Sequence, residues 1–259
     1  CSEKLLRRVG DLAREQNARI HSHSSENRSE VDWVRKLTGH DNVEYFHRLG
    51  LTGDRLVLAH CIWLSAREKK ILRDTGTHVV HCPSSNLKLA SGLAPIPELL
   101  GMGVSVGLAA DGAPCNNNLN AFTELRLAAL IHKPGGGPRA VSAQQALDMA
   151  TLGGAHAMGL SAEIGSLEAG KRADFFIYDP SDLSMWTGGM IDSSDVARDA
   201  VAISALVYSG QSSAVESTWV DGREVFDREQ GILNYSDYAR LPVALERAWK
   251  KVQRDPSTF

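Results

Sequence analysis

Residues 19–27 read "RIHSHSSEN", with His21 and His23 one residue apart and Glu26 three residues after the second histidine. Imidazole nitrogen binds metals and accepts protons, and a carboxylate beside it adds a second acid/base group, so the cluster suits a metal-assisted reaction. Other polar residues close apolar segments: His60 ends "RLVLAH", His81 ends "THVVH" and Asp111 ends "VSVGLAAD". With His23 closing "ARIHSH", each of four expected strands ends on a residue that can ligate a metal or move a proton. In (β/α) barrels the catalytic groups sit at the carboxyl ends of the strands. A single strand-end histidine is as readily a solvated cap, but all four together point to a site.

The segments that must position these groups alternate strand with helix, the pattern of a parallel sheet covered by helices. "SEKLLRRVGDLAREQN" has helical spacing with Ser2 as a cap, and "SEVDWVRKLTG" and "DNVEYFHRLG" are helical segments closed by glycine. The helices "SAREKKILRDTG" and "PIPELLGMG" follow, with "CPSSNLKLASG" between them read as a loop. "LNAFTELRLAALIH" and "SAQQALDMATLGGAHAMG" complete the helical material of this part. In the fourth strand Ser105, Gly107, Ala109 and Asp111 share one face and Val104, Val106, Leu108 and Ala110 the other, which leaves room around the aspartate. Towards the C-terminus "ADFFIYD" reads as a strand, "VAISALVYSG" as an apolar segment that packs back, and "ESTWVDGREVFD" as a hairpin turning at Asp221-Gly222. "DYARLPVALERAWKKVQR" is expected to close the chain as a helix.

The chain has 259 residues, enough for one large α/β domain or two smaller ones. Its 28 Lys+Arg against 31 Asp+Glu, a net charge of -3, offer no electrostatic reason to bind nucleic acid or an anionic membrane, so a small-molecule partner is expected. Cys1, Cys61, Cys82 and Cys115 are scattered without a C-x-x-C pair, which suits a reduced cytoplasmic protein. No apolar run reaches the length of a membrane span. The first residue is Cys1 and leads directly into a helical segment, so the chain reads as one whose beginning is missing.

"IHSHSSEN", "LAHCIWLS", "VVHCPSSNLKLASG" and "GLAADGAPCNNNLNAFTELRLAALIHK" together resemble the amidohydrolase superfamily, in its deaminase and triazine-hydrolase (chlorohydrolase-like) branch. That branch includes adenosine-type, guanine and 8-oxoguanine deaminases and s-triazine hydrolases. The resemblance implies an α/β fold, a (β/α)8 TIM barrel whose strands five to eight lie in this chain, with part of a small β-sandwich. It implies a half-barrel over 1–165, sandwich strands and a return segment over 166–230, entered at "IGSLEAGKRADFFIYD", and a C-terminal helix over 231–259. By the same resemblance His23 binds the metal, Glu26 shuttles protons, His60 orients the attacking water, and Asp111 binds metal and accepts a proton from that water. His81 has no settled role.

The implied cofactor is one divalent ion, zinc first, with iron or manganese as alternatives. The implied reaction is hydrolytic deamination of an aminated heterocycle: a purine base, a nucleoside or a pterin. Removal of chloride or alkylamine from an s-triazine is the runner-up, and a binding protein with a decayed site is the third reading. A homo-oligomer is expected. Only His23 and Asp111 are assigned as metal ligands, whereas a catalytic metal needs about three. The family draws the others from an H-x-H on strand one, which nothing here matches, so the chain is expected to be the C-terminal part of a longer polypeptide. His21 is taken as a packing histidine, Trp63 as core or as a wall for a flat ring, and Cys115 as no nucleophile, because no base stands beside it.

Overall fold

The computed structural model describes residues 1–179 and 195–233. They fall into two compact units, one within Cys1–Lys171 and Pro180–Ala214, the other within Arg172–Asp179 and Val215–Phe259. The helix expected over "DYARLPVALERAWKKVQR" lies outside the described residues.

In the first unit the strands β1 (Ile20–Ser24), β2 (Leu56–His60), β3 (His78–His81) and β4 (Val106–Leu108) form a four-stranded sheet in sequence order. All neighbours are parallel, with His23 opposite Ala59 and His81 opposite Leu108. The helices before β3 are α1 (Glu3–Glu15), α2 (Arg28–Thr38), α3 (Asn42–Arg48) and α4 (Ala66–Thr75). Between β3 and β4 lie α5 (Pro83–Lys88) and α6 (Ile96–Gly101). After β4 come α7 (Ala113–Asn116), α8 (Ala121–Leu130), α9 (Lys133–Gly136), α10 (Ala143–Asp148), α11 (Gly154–Met158) and α12 (Asp195–Ser209). The fold is α/β with a parallel sheet.

Local chemistry sets the helix ends. The Ser2 hydroxyl accepts from Leu5 N at the start of α1, and the Asn27 amide oxygen accepts from Glu30 N at the start of α2. Ser65 and Glu68 form a reciprocal capping box on α4, and Gly76 at φ 69 ends that helix.

The sheet has two different faces. Leu56, Leu58, Val79 and Val106 point into the main core with Leu72 of α4, Leu99 of α6, Ala128 of α8 and Ala146 of α10. The opposite face carries a smaller cluster of Val57, Val80, Cys82 and Ala157, with Ala109 packed against it. That division follows the parity expected for the fourth strand, since Val104 and Val106 lie in the main core and Ala109 against the small cluster. α12 packs on α8 and α10 and buries Val207, as the apolar "VAISALVYSG" suggests.

Three elements differ from the sequence reading. β4 spans only Val106–Leu108 rather than 104–111: Ala109 N still donates to His81 O, but Asn116 Nδ2 takes the Ala110 carbonyl, and Asp111 turns to φ +64. The segment read as a loop after His81 forms α5, because Pro83 is preset for a first helical turn. Between α10 and α11 the chain makes a π-helical turn, Met149–Gly153, which lies against β4.

The second unit contains an antiparallel sheet of β5 (Phe175–Tyr178), β6 (Val215–Val220), β7 (Arg223–Asp227) and β8 (Gly231–Ile232). Its central hairpin turns at Asp221 and Gly222, both at positive φ, as the Asp-Gly pair predicts. Phe175 stacks on Trp219 across the β5–β6 pair at 5.7 Å.

Gly153 lets the π turn approach β4: a Cβ there would lie 2.1 Å from the Val106 carbonyl oxygen. Gly153→Ala should therefore lower stability by about 1–3 kcal/mol in denaturant unfolding, the usual cost of overpacking. Gly101→Ala, where a Cβ meets nothing within 4 Å, should be neutral or stabilising in the same measurement.

Candidate active site

The carboxyl ends of β1 and β2 bring His23, Glu26 and His60 together. By strand alternation His60 would face the same side as Leu56 and Leu58, yet its ring stacks on that of His23, centroids 5.3 Å apart. The backbone explains this: His60 and the next residue, Cys61, sit at φ 71 and φ 47, so the chain leaves the strand in a left-handed turn and carries the ring across. Such a conformation costs of order 1–3 kcal/mol for each non-glycine residue, and here it is held by Cys61 N and Ile62 N, which donate to Ser24 O and Ser25 O.

His60 is 1% exposed. Its Nδ1 lies 2.8 Å from the amide oxygen of Asn86, and its Nε2 lies 3.9 Å from Glu26 Oε2. The other Glu26 oxygen accepts from the Ser91 hydroxyl at 3.3 Å. The Glu26 backbone N donates to the Glu30 carboxylate at 2.9 Å, which fixes the turn leading from β1 into α2.

Asp111 completes the group from the loop after β4. Its Oδ2 accepts from the Ser85 hydroxyl at 2.5 Å and its Oδ1 from Gly112 N at 2.6 Å. Burial works against its charge, but the Ser85 and Gly112 hydrogen bonds and the fields of His60 and His23 prevail, and the carboxyl is held below the usual aspartate range. The loop is anchored by Asn116, whose Nδ2 donates to Ala110 O at 2.7 Å and to Glu124 at 2.8 Å.

His81 lies beneath this group and is fully buried, its ring 5.5 Å from that of His132. Both of its ring nitrogens lack a hydrogen-bond partner among the described residues. His21 is exposed on the same face of β1 as His23. Trp63 is a brace: its Nε1 donates to Ser91 O at 2.9 Å, and Arg28 lies over its ring at 4.3 Å. Cys115 is half-buried in α7.

Ser85, Asn86 and Ser91 are the site residues that sequence reasoning missed. All three lie in "CPSSNLKLASG", and the available signal was a run of uncharged polar residues directly after a buried strand end.

His23 supplies a nitrogen and Asp111 an anionic oxygen, donor types that suit zinc. Among the described residues no group of three or more His, Cys, Asp or Glu is gathered tightly enough to hold an ion. The donors present therefore fit a metal in kind, and they account for two of the usual set.

This is an α/β protein with His23, His60, His81 and Asp111 at or just beyond the carboxyl ends of parallel strands, where barrel enzymes place their active sites. Residues 1–225 match the amidohydrolase family, and the chain belongs to that family. It is 41% identical over 229 residues to a 5-methylthioadenosine/S-adenosylhomocysteine deaminase of Moorella thermoacetica, covering 88% of this chain and 51% of that protein. A zinc-bound adenosine deaminase from Xanthomonas campestris superposes with a TM-score of 0.87 at 32% identity, over 98% of this chain and 55% of the other. A zinc-complexed atrazine chlorohydrolase from Arthrobacter aurescens superposes with a TM-score of 0.80 at 28% identity, over 95% of this chain and 52% of the other. The chain spans about half the length of the curated relatives it matches.

Burial pushes the His81 imidazole down to about 3 and holds those of His78 and His132 below the ordinary histidine range. The His81 ring stays neutral well below pH 6.5 in the folded chain and the other two resist protonation, while the unfolded chain takes up protons near pH 6.5, so the unfolded state binds more protons below that pH. Stability should be fully present above about pH 6.5 and fall steadily as the pH drops towards 3. Imidazole NMR titration provides the check: the His81 ring should show no protonation step between about pH 8 and pH 5.

Proposed function

We propose that this chain carries the acid/base residues of a metal-dependent hydrolytic deaminase acting on an aminated heterocycle: a purine base, a nucleoside or a pterin. The observation that carries the reading is the placement of His60 Nε2 3.9 Å from Glu26 Oε2, near an Asp111 held anionic. The similarity to a 5-methylthioadenosine/S-adenosylhomocysteine deaminase and an adenosine deaminase supports the substrate class.

The two carboxylates sit in different surroundings, which suits different tasks. Asp111 is clamped by Ser85 and Gly112, so it stays charged, serves as a ligand with His23, and accepts a proton from water. Glu26 accepts one long hydrogen bond from Ser91 and turns its other oxygen towards His60. It takes one proton from the attacking water and hands it to the ring nitrogen, so negative charge does not build up on the heterocycle. The water's second proton, taken up by Asp111, passes to the amino group, which leaves as ammonia while the ring carbon keeps the oxygen. His60 orients the water. A divalent ion, zinc by its donor set, supplies when bound the acidification of water that a neutral-pH nucleophile needs.

The same reading takes β1–β4 as strands five to eight of a (β/α)8 barrel and β5–β8 as part of a small β-sandwich. It also takes the domain division 1–165, 166–230 and 231–259, a cytoplasmic setting and a homo-oligomer. The superposition on the Xanthomonas campestris adenosine deaminase supports the barrel assignment.

The direct test is release of ammonia from purines, nucleosides and pterins by the complete gene product, with chloride release from chlorotriazines as the contrasting outcome. Glu26→Gln should keep its metal and lose roughly 10²–10⁴ in turnover, the usual value of a positioned acid/base. Undiminished turnover would remove Glu26 from the mechanism. Asp111→Asn should lose both activity and tight metal binding, read by metal analysis after dialysis; a metal-replete, active variant would show the assignment wrong.

A further inference from the structure

Each of the three groups that the proposed deamination uses is held by one short stretch of chain. From α5 and the turn after it, Ser85 donates to Asp111, Asn86 meets His60 Nδ1, and Ser91 donates to Glu26. The stretch is itself tightly fixed. Ser84 N and the Ser84 hydroxyl donate to the buried Glu124, Asn86 N donates to Cys82 O, and Ser91 N donates to Asn86 O.

Asn86 is the informative member. It is 1% exposed, its oxygen lies 2.8 Å from His60 Nδ1, and its Nδ2 has no partner among the described residues. An unpaired buried amide is a cost that leucine, similar in size and apolar, would avoid. Its return is control over His60. An amide oxygen only accepts, so with that oxygen on Nδ1 the ring must carry its proton there, and Nε2 is left bare towards Glu26.

We propose that Asn86 is a positioning residue that fixes the Nδ1–H tautomer of His60, so that its Nε2 faces Glu26 as a proton acceptor. The inference rests on the deaminase reading for its role in turnover, but the tautomer itself does not depend on activity.

The test uses the complete gene product labelled with ¹⁵N-histidine, with long-range ¹H–¹⁵N correlation spectra assigning the His60 tautomer. Wild type should show a protonated Nδ1 and a bare Nε2. Asn86→Leu should release the ring to a mixture of tautomers, and Asn86→Asp, which keeps an acceptor on Nδ1, should retain the wild-type form. In the active gene product, Asn86→Leu should lower kcat roughly 10–100-fold, as loss of such outer hydrogen bonds does, with KM nearly unchanged and Asn86→Asp restoring much of the rate. An Nε2–H tautomer in wild type overturns the proposal even if neither variant folds. So does an unchanged tautomer in a folded Asn86→Leu. If wild type releases no ammonia from any substrate while the tautomer follows Asn86, the deaminase reading fails and Asn86's hold on His60 stands.

Discussion

The arrangement at the sheet's carboxyl end depends on one buried carboxylate, Glu124 on α8, which is 2% exposed. A carboxylate removed from water is tolerated only when its oxygens are well paired. Glu124 meets that demand with Ser84 N, the Ser84 hydroxyl and Asn116 Nδ2. Those donors belong to two different segments, the start of α5 and the loop beyond β4, so satisfying one charge locks the two together. Ser85 and Asn86 follow Ser84 directly, and Asn116 also holds the Ala110 carbonyl next to Asp111. The position of Asp111 relative to His60 is thus tied to a residue that takes no part in the proposed chemistry.

A second constraint comes from the backbone. His60, Cys61 and Asp111 all adopt positive φ although none is glycine. A regular strand would point successive side chains to opposite faces and could not gather residues of both parities at one place. Left-handed turns at the strand ends break the alternation. His60 leaves the helix-covered face to meet His23, and Asp111 leaves the ladder to meet Ser85. The strain is local and is offset by a rigid, well-buried sheet beneath it. The buried ring nitrogens without partners, both of His81 and Nε2 of His132, belong to the same trade, since polar groups kept dry under a site lower stability, and they do so increasingly in acid.

Much of this protein was legible in its sequence. The four parallel strands follow from short β-branched apolar runs separated by helical periodicity, and the side-chain parity of the fourth strand holds between Val104 and Ala109. Helix ends were readable where a cap or glycine decides them, as at Ser2 and Gly39. The Asp221-Gly222 hairpin was readable because so few residue pairs accept two consecutive positive φ angles. His23, His60, His81 and Asp111 stood out by residue type at strand ends, a pattern that needs no knowledge of distances, whereas Glu26 stood out by its place three residues after His23 and by the family resemblance.

What the sequence could not reveal was which neutral polar residues hold those groups. Ser85, Asn86 and Ser91 carry no charge and no periodicity, and they gain meaning only when α5 folds across the sheet and turns them towards Asp111, His60 and Glu26. The shortening of β4 and the crossing of His60 between faces were hidden for the same reason. Strand-end backbone is decided by competition for hydrogen bonds between segments distant in sequence, as when Asn116 claims the Ala110 carbonyl. Residue types and spacing therefore determined the strands and the reactive groups at their ends. Only tertiary structure, by satisfying Glu124 and bending the chain at His60 and Asp111, decided how those groups face one another.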